Sequence, residues 1–141
     1  MTGDEIAAAA KSLVGVPFRL HGRDRRIGLD CLGVVALAHG GAMEVPATYR
    51  LRALEGGERD SLVAAAARSM GLAPADGPAV PGDVLMLRPG ACQLHFAVAV
   101  DRRRIVHAHA GLGRVVLGPI PEDWPLAGLW RQAAIPSPRR T

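Results

Sequence analysis

Apolar positions at helical spacing open the chain, and short β-branched or apolar runs cut by turn residues close it. Thr2 and Glu5 stand at capping-box spacing ahead of "IAAAAKSLV", with Gly15 at the stop, which predicts a first helix over residues 4–14. Pro17 forces an exit, and "FRLHGRDRRIG" is too polar and too rich in glycine for a buried element, so it reads as a loop leading to Asp30. Asp30 then caps a second, short apolar helix from Cys31 to about Ala38, stopped by "HGG". A third helix is predicted near 58–70, closed by Gly71, followed by a Pro/Ala/Gly-rich connection over 73–82. From there "DVLMLR" (83–88), "CQLHFAVAV" (92–100), "RIVHAHA" (104–110), "RVVLGPI" (114–120) and "LAGLWRQA" (126–133) read as strands of an antiparallel meander. Helices first and strands second define an α+β fold.

Residues 1–141 fit a single domain large enough for a real core. With 49% apolar residues but only two Trp, one Tyr and two Phe, that core must come mainly from Ala, Val and Leu. No apolar run approaches the roughly 18–20 residues of a membrane span, so no membrane insertion is expected. The start "MTGDEIAAAAKSL" carries acids where a signal peptide would be basic, so synthesis in the cytoplasm is expected. Two cysteines in a reducing compartment stand as free thiols. The net charge of +4 favours anionic partners, yet nucleic acid is not expected, because aromatics are scarce and no binding motif accompanies "RDRR" (23–26) or "RRR" (102–104). Those runs read as solvated loop charge.

Two positions bear chemistry. Cys31 falls at the first turn of a helix, where orphan N–H groups and the helix dipole favour a thiolate and lower its pKa, although a lone cysteine also serves as a small hydrophobe. His95 lies in a strand with Ala97 and Ala99 on its face, and small neighbours leave room for something to approach. "VDRRRIV" signals a hairpin, and a three-residue loop over 101–103 sets His95 opposite His109 with His107 diagonal to it. Three imidazoles on one face would supply a base and a group to orient it, with either His107 or His109 as the third member. The same residues lack the paired clusters of a structural zinc site, so no metal and no other cofactor is expected. Cys92 lies an odd number of residues from His95 and reads as packing.

"GVPFRLHGRDRRIGLDCLGVV", "PGDVLMLR" and "LHFAVAVDRRRIVHA" together resemble the NlpC-type papain-like cell-wall peptidases over roughly residues 4–118. The order Cys, His, His and the twelve-residue step from His95 to His107 fit that pattern. The resemblance implies a papain-like domain with N-terminal helices packed on a five- to six-stranded antiparallel sheet, in which Cys31 is nucleophile, His95 base and His107 the orienting member. It implies hydrolysis of peptidoglycan stem-peptide amide bonds, often between γ-D-glutamyl and a diamino acid. Asp30, Phe18 and Leu32 stand at substrate-facing positions, Phe18 replacing the family's Tyr and Leu32 its Ser. Arg23, Arg25 and Arg26 precede the nucleophile and could meet substrate carboxylates. "DCLG" and the small size resemble the branch carried by phage tails and gene transfer agents, which implies tail-tip or baseplate partners and delivery into the periplasm. A tail-tip structural component with weak or lost activity, and acyl transfer by the same residues, are the rival expectations.

Overall fold

The computed structural model describes residues 1–41, 56–90 and 93–133, with three helices and eight strands among them. Helix α1 (Gly3–Lys11) starts as expected: the Thr2 hydroxyl accepts from Glu5 N–H, and the Glu5 carboxylate accepts from Thr2 N–H, both at 3.1 Å. It ends at Lys11, earlier than the expected residue 14, and buries Ile6, Ala7 and Ala10. Gly15, at φ +94°, turns the chain onto the sheet edge, where Gly15 N–H donates to Val115 O and Phe18 N–H to Gly113 O, each at 2.9 Å. The segment expected as plain loop therefore supplies backbone pairing, and beyond it β1 (Arg23–Asp24) and β2 (Gly28–Leu29) form a small antiparallel ribbon.

Helix α2 (Cys31–Ala38) has the expected bounds, with Asp30 as N-cap and Gly40 and Gly41, both at φ +83°, unwinding its end. Its Gly33, Val34, Val35, Ala36 and Ala38 are buried, since the helix packs against both α1 and the sheet. Helix α3 (Gly56–Ser69) covers the third expected helix and ends before Gly71, at φ +74°.

Strands β3 (Leu72–Pro74), β4 (Val84–Leu87), β5 (His95–Ala99), β6 (Arg104–His109), β7 (Arg114–Pro119) and β8 (Leu126–Gln132) form one sheet of order β3-β8-β4-β5-β6-β7, antiparallel throughout. Two expectations are corrected here. Only β4 to β7 make a meander; β8 crosses back to pair with β4, and the start of the supposed connection over 73–82 becomes β3, an edge strand on β8. The return is pinned where Arg131 makes two 2.9 Å bonds to Asp83, an aspartate only 1% exposed whose carboxylate also receives Val80 N–H. A guanidinium fork on a buried carboxylate is a directional anchor that local strand propensity does not reveal.

Strand alternation divides the core in two. The face carrying Val84, Met86, Phe96, Val98, Val106, Ala108 and Val115 packs against the helices. The face carrying Leu85, Leu87, Ala97, Ala99, Ile105 and Leu129 is covered by Ala75 and Ala79 from the connection after β3 and by Ile120 and Trp124 from the crossover between β7 and β8.

Candidate active site

Asp30 fixes the start of α2. Its Oδ1 accepts from Gly33 N–H at 2.8 Å and from Arg23 Nη1 at 2.7 Å, and its Oδ2 accepts from His21 N–H at 2.9 Å. Arg23 is thus a half-buried partner of the capping carboxylate and not a solvated loop charge, whereas Arg26 pairs with Asp24 on the surface and Arg25 reaches Ser12 O. Cys31 follows directly, half-buried and packed against the helical core. Burial pushes its thiol up to about 11; the backbone N–H groups of Phe96 and Leu32 and the Arg23 guanidinium pull the other way, and the Asp30 carboxylate adds to the rise. The expected lowering of the thiol is therefore corrected: desolvation outweighs the donors at the helix start, and the resting sulfur is protonated.

The β5–β6 hairpin takes the expected register. Val98 pairs with Val106 and Ala99 with Ile105, Val100 N–H donates to Arg104 O, and Asp101 Oδ1 ties the 101–103 loop by accepting from Arg103 and Arg104 N–H. That register makes His95 and His107 diagonal neighbours, and His95 Nε2 meets His107 Nδ1 at 2.8 Å with the rings near perpendicular at 85°. His109 lies 5.7 Å from His107 by ring centroid and accepts from Leu112 N–H, so His107 is the ring in contact with His95. Burial, then the neighbouring imidazoles, hold His95 down to about 3; burial and His109 hold His107 down to about 4. Both rings are neutral at pH 7.

Phe96 N–H is the donor that favours the thiolate at Cys31, and strand alternation turns His95, its neighbour at the start of β5, to the opposite face of the sheet. Among the described residues no hydrogen bond joins Cys31 to either ring. Phe18 and Leu32 are half-buried against the helical core. Cys92 lies outside the described residues. No group of three or more His, Cys, Asp or Glu side chains among the described residues is arranged to hold a metal ion, and no described helix is long and apolar enough to cross a membrane.

One component was not anticipated. Trp124 stands edge-to-face against both histidines, at centroid distances of 5.3 Å to His95 and 5.7 Å to His107. The space beside Ala97 and Ala99, expected to admit an approaching group, is filled instead; both alanines are fully buried under the crossover that carries Trp124. A tryptophan inside the turn-like "PEDWP" was the one available signal.

A scan against models of protein families finds no match, and a search of curated proteins finds none either. Solved structures do match. The NlpC/p60 domain of the peptidoglycan hydrolase SagA superposes with a TM-score of 0.57 at 21% identity, over 84% of this chain and 90% of that one. NlpC1 from Trichomonas vaginalis gives 0.64 at 17% identity over 92% of this chain, and an NlpC/p60 family protein from Bacillus cereus gives 0.59 at 18% identity over 94%. This chain spans 44% and 40% of the length of those two. The fold is thus the papain-like α+β fold of NlpC/p60 domains.

Proposed function

We propose that the protein is a cysteine peptidase that hydrolyses amide bonds in peptidoglycan stem peptides. The observation that carries this reading is the His95–His107 pair at 2.8 Å, set at the end of the strand against which the N-terminal turn of α2 presents Cys31. If His95 is to take the thiol proton on Nδ1, its Nε2 must carry hydrogen and donate to His107 Nδ1; the short contact between those two atoms accommodates this tautomer. Because thiol and imidazole both rest neutral, proton transfer accompanies attack and no ion pair need form beforehand. Substrate must draw the sulfur and His95 together, as catalytic hydrogen bonds commonly tighten only in the complex. The thiolate adds to the carbonyl, the N–H of Cys31 at the helix start can meet the oxyanion, His95 returns the proton to the leaving amine, and water releases the acyl group.

SagA, whose NlpC/p60 domain shares this fold, is a peptidoglycan hydrolase, which supports the substrate class. The finer reading, a γ-D-glutamyl–diamino acid bond reached by delivery on a phage-like tail, rests on the motif likeness. Digestion of purified peptidoglycan with mass spectrometry of the fragments tests both bond and activity. New amine termini are expected with the native protein and none with Cys31→Ala or His95→Ala; identical fragments from native protein and Cys31→Ala would overturn the reading. Antibody detection in purified tail-like particles tests delivery.

A further inference from the structure

Topology brings Trp124 to the histidines. The crossover leaves β7 with Ile120 N–H bonded to Arg103 O at 2.8 Å, turns with Trp124 N–H on Pro121 O at 3.1 Å, and enters β8 where Arg88 N–H holds Pro125 O at 2.9 Å. Three backbone bonds thus fix a six-residue span, 120–125, over the β5–β6 pair, and Trp124 is the only aromatic in it. The indole lies near perpendicular to both imidazoles, at 72° to His95 and 83° to His107, so it touches the two rings that share the 2.8 Å bond. From this arrangement we infer that Trp124 is a positioning residue: it locks the two imidazole planes and keeps water from the His95–His107 hydrogen bond.

A His side chain turns about χ2 in a broad, weakly structured well, so a hydrogen bond alone does not fix its plane. Perpendicular aromatic contacts favour a defined ring geometry beyond the area they bury, and one indole against both rings couples their orientations. An indole also removes water that would compete for Nε2 and Nδ1, and a hydrogen bond gains strength in such a low-dielectric setting. The other titratable groups near the pair are His109 on β6 and Cys31 on α2; His109 stands 5.7 Å from His107 at a 53° tilt but makes no ring contact with His95, and Cys31 bonds to neither ring, so neither can couple the two planes.

The inference rests on the proposed roles of His95 and His107, but its first test does not need activity. Histidine-labelled protein titrated by NMR should show the His95 and His107 rings protonating well below pH 5; in Trp124→Ala both midpoints should climb toward the ordinary value near 6.5, while Trp124→Phe keeps them low. Trp124→Leu, which keeps an apolar cover without a ring to stand against the imidazoles, should leave the midpoints low, because burial is what lowers them, while kcat still falls. Unchanged midpoints in Trp124→Ala overturn the inference, whether or not any substrate is cleaved. With muropeptide, kcat should fall about 10- to 100-fold in Trp124→Ala at nearly constant KM, with the acid limb of the pH profile moved to higher pH and most of the rate restored by Trp124→Phe. An equal loss in Trp124→Phe and Trp124→Ala, with the acid limb unmoved, would also overturn it. Absence of cleavage by the native protein, with the NMR shifts as expected, would sink the peptidase reading and leave the positioning role standing.

Discussion

The two faces of the sheet solve the same burial problem with different materials. On the helical face, α1 and α2 bring Ile6, Ala10, Val34 and Val35 onto Phe96, Val98 and Val106, and regular elements meet regular elements. On the other face the β7–β8 crossover lays Ile120 and Trp124, and the connection after β3 lays Ala75 and Ala79, over Leu85, Ala97, Ala99 and Ile105. On the helical side α2 is braced by close backbone approach, Gly33 lying against Gly22 O of the preceding loop; the other face is closed by Trp124 and Ile120 with two alanines, and the two histidines sit beside the indole. The candidate nucleophile is held by the rigid face and the candidate base by the thinner one.

The sharpest way to break this contrast is Gly33→Ala. A Cβ there would stand 2.2 Å from the carbonyl oxygen of Gly22 and 3.1 Å from Leu29 Cδ2, so α2 must lift off the loop that orients Asp30. Overpacking against backbone should cost about 3 kcal/mol or more in urea unfolding, with loss of whatever activity depends on Cys31. The control is Gly118→Ala on β7, where nothing lies within 4 Å of the added carbon and no comparable loss is expected. Equal behaviour of the two variants would remove the distinction between a rigid helical face and the rest.

Ala97→Val tests the crossover face with a smaller effect. Were the space beside Ala97 open, two added methyl groups would be accepted and the β-branched residue would suit the strand. With Ala97 fully buried beneath Trp124, they must displace the indole instead, at about 1–3 kcal/mol and with loosening of the His95 and His107 rings. A stability equal to that of the native protein would restore the open-face reading.

What the amino-acid pattern disclosed follows from the same contrast. Helix α2 was legible to the residue because Asp30, the apolar run and two glycines are consecutive in the chain. The diagonal placement of His95 and His107 was legible because a three-residue loop fixes the pairing register, whereas the choice of His107 over His109 as the ring in contact with His95 was not. Both are local facts. The return of β8 to β4 depends on Arg131 finding Asp83, 48 residues away, and no local pattern encodes that meeting. Trp124 and the filled Ala97 face follow from the crossover and were missed with it. The thiol's direction of shift was misread for a related reason: a helix start is visible in sequence, whereas the packing that desolvates Cys31 is assembled from distant elements.

Acidification should separate the two faces by the smallest margin. Unfolded imidazoles take protons near pH 6.5, while in the fold His95 and His107 are held down to about 3 and about 4. Between pH 6.5 and those values the unfolded chain binds more protons than the native one, so stability is lost as pH falls and regained as it rises. By pH 5.5 each ring should cost about 1 kcal/mol. His39, at the end of α2, is also lowered by burial, but its bond to Val35 O opposes that shift, so the helical face contributes in the same direction against a counterweight. Urea midpoints at pH 7 and pH 5.5 should therefore converge more in His107→Gln than in His39→Gln. A larger convergence in His39→Gln would place the acid-sensitive point under the helices, and the thinner cover over β5 and β6 would no longer be the weaker side.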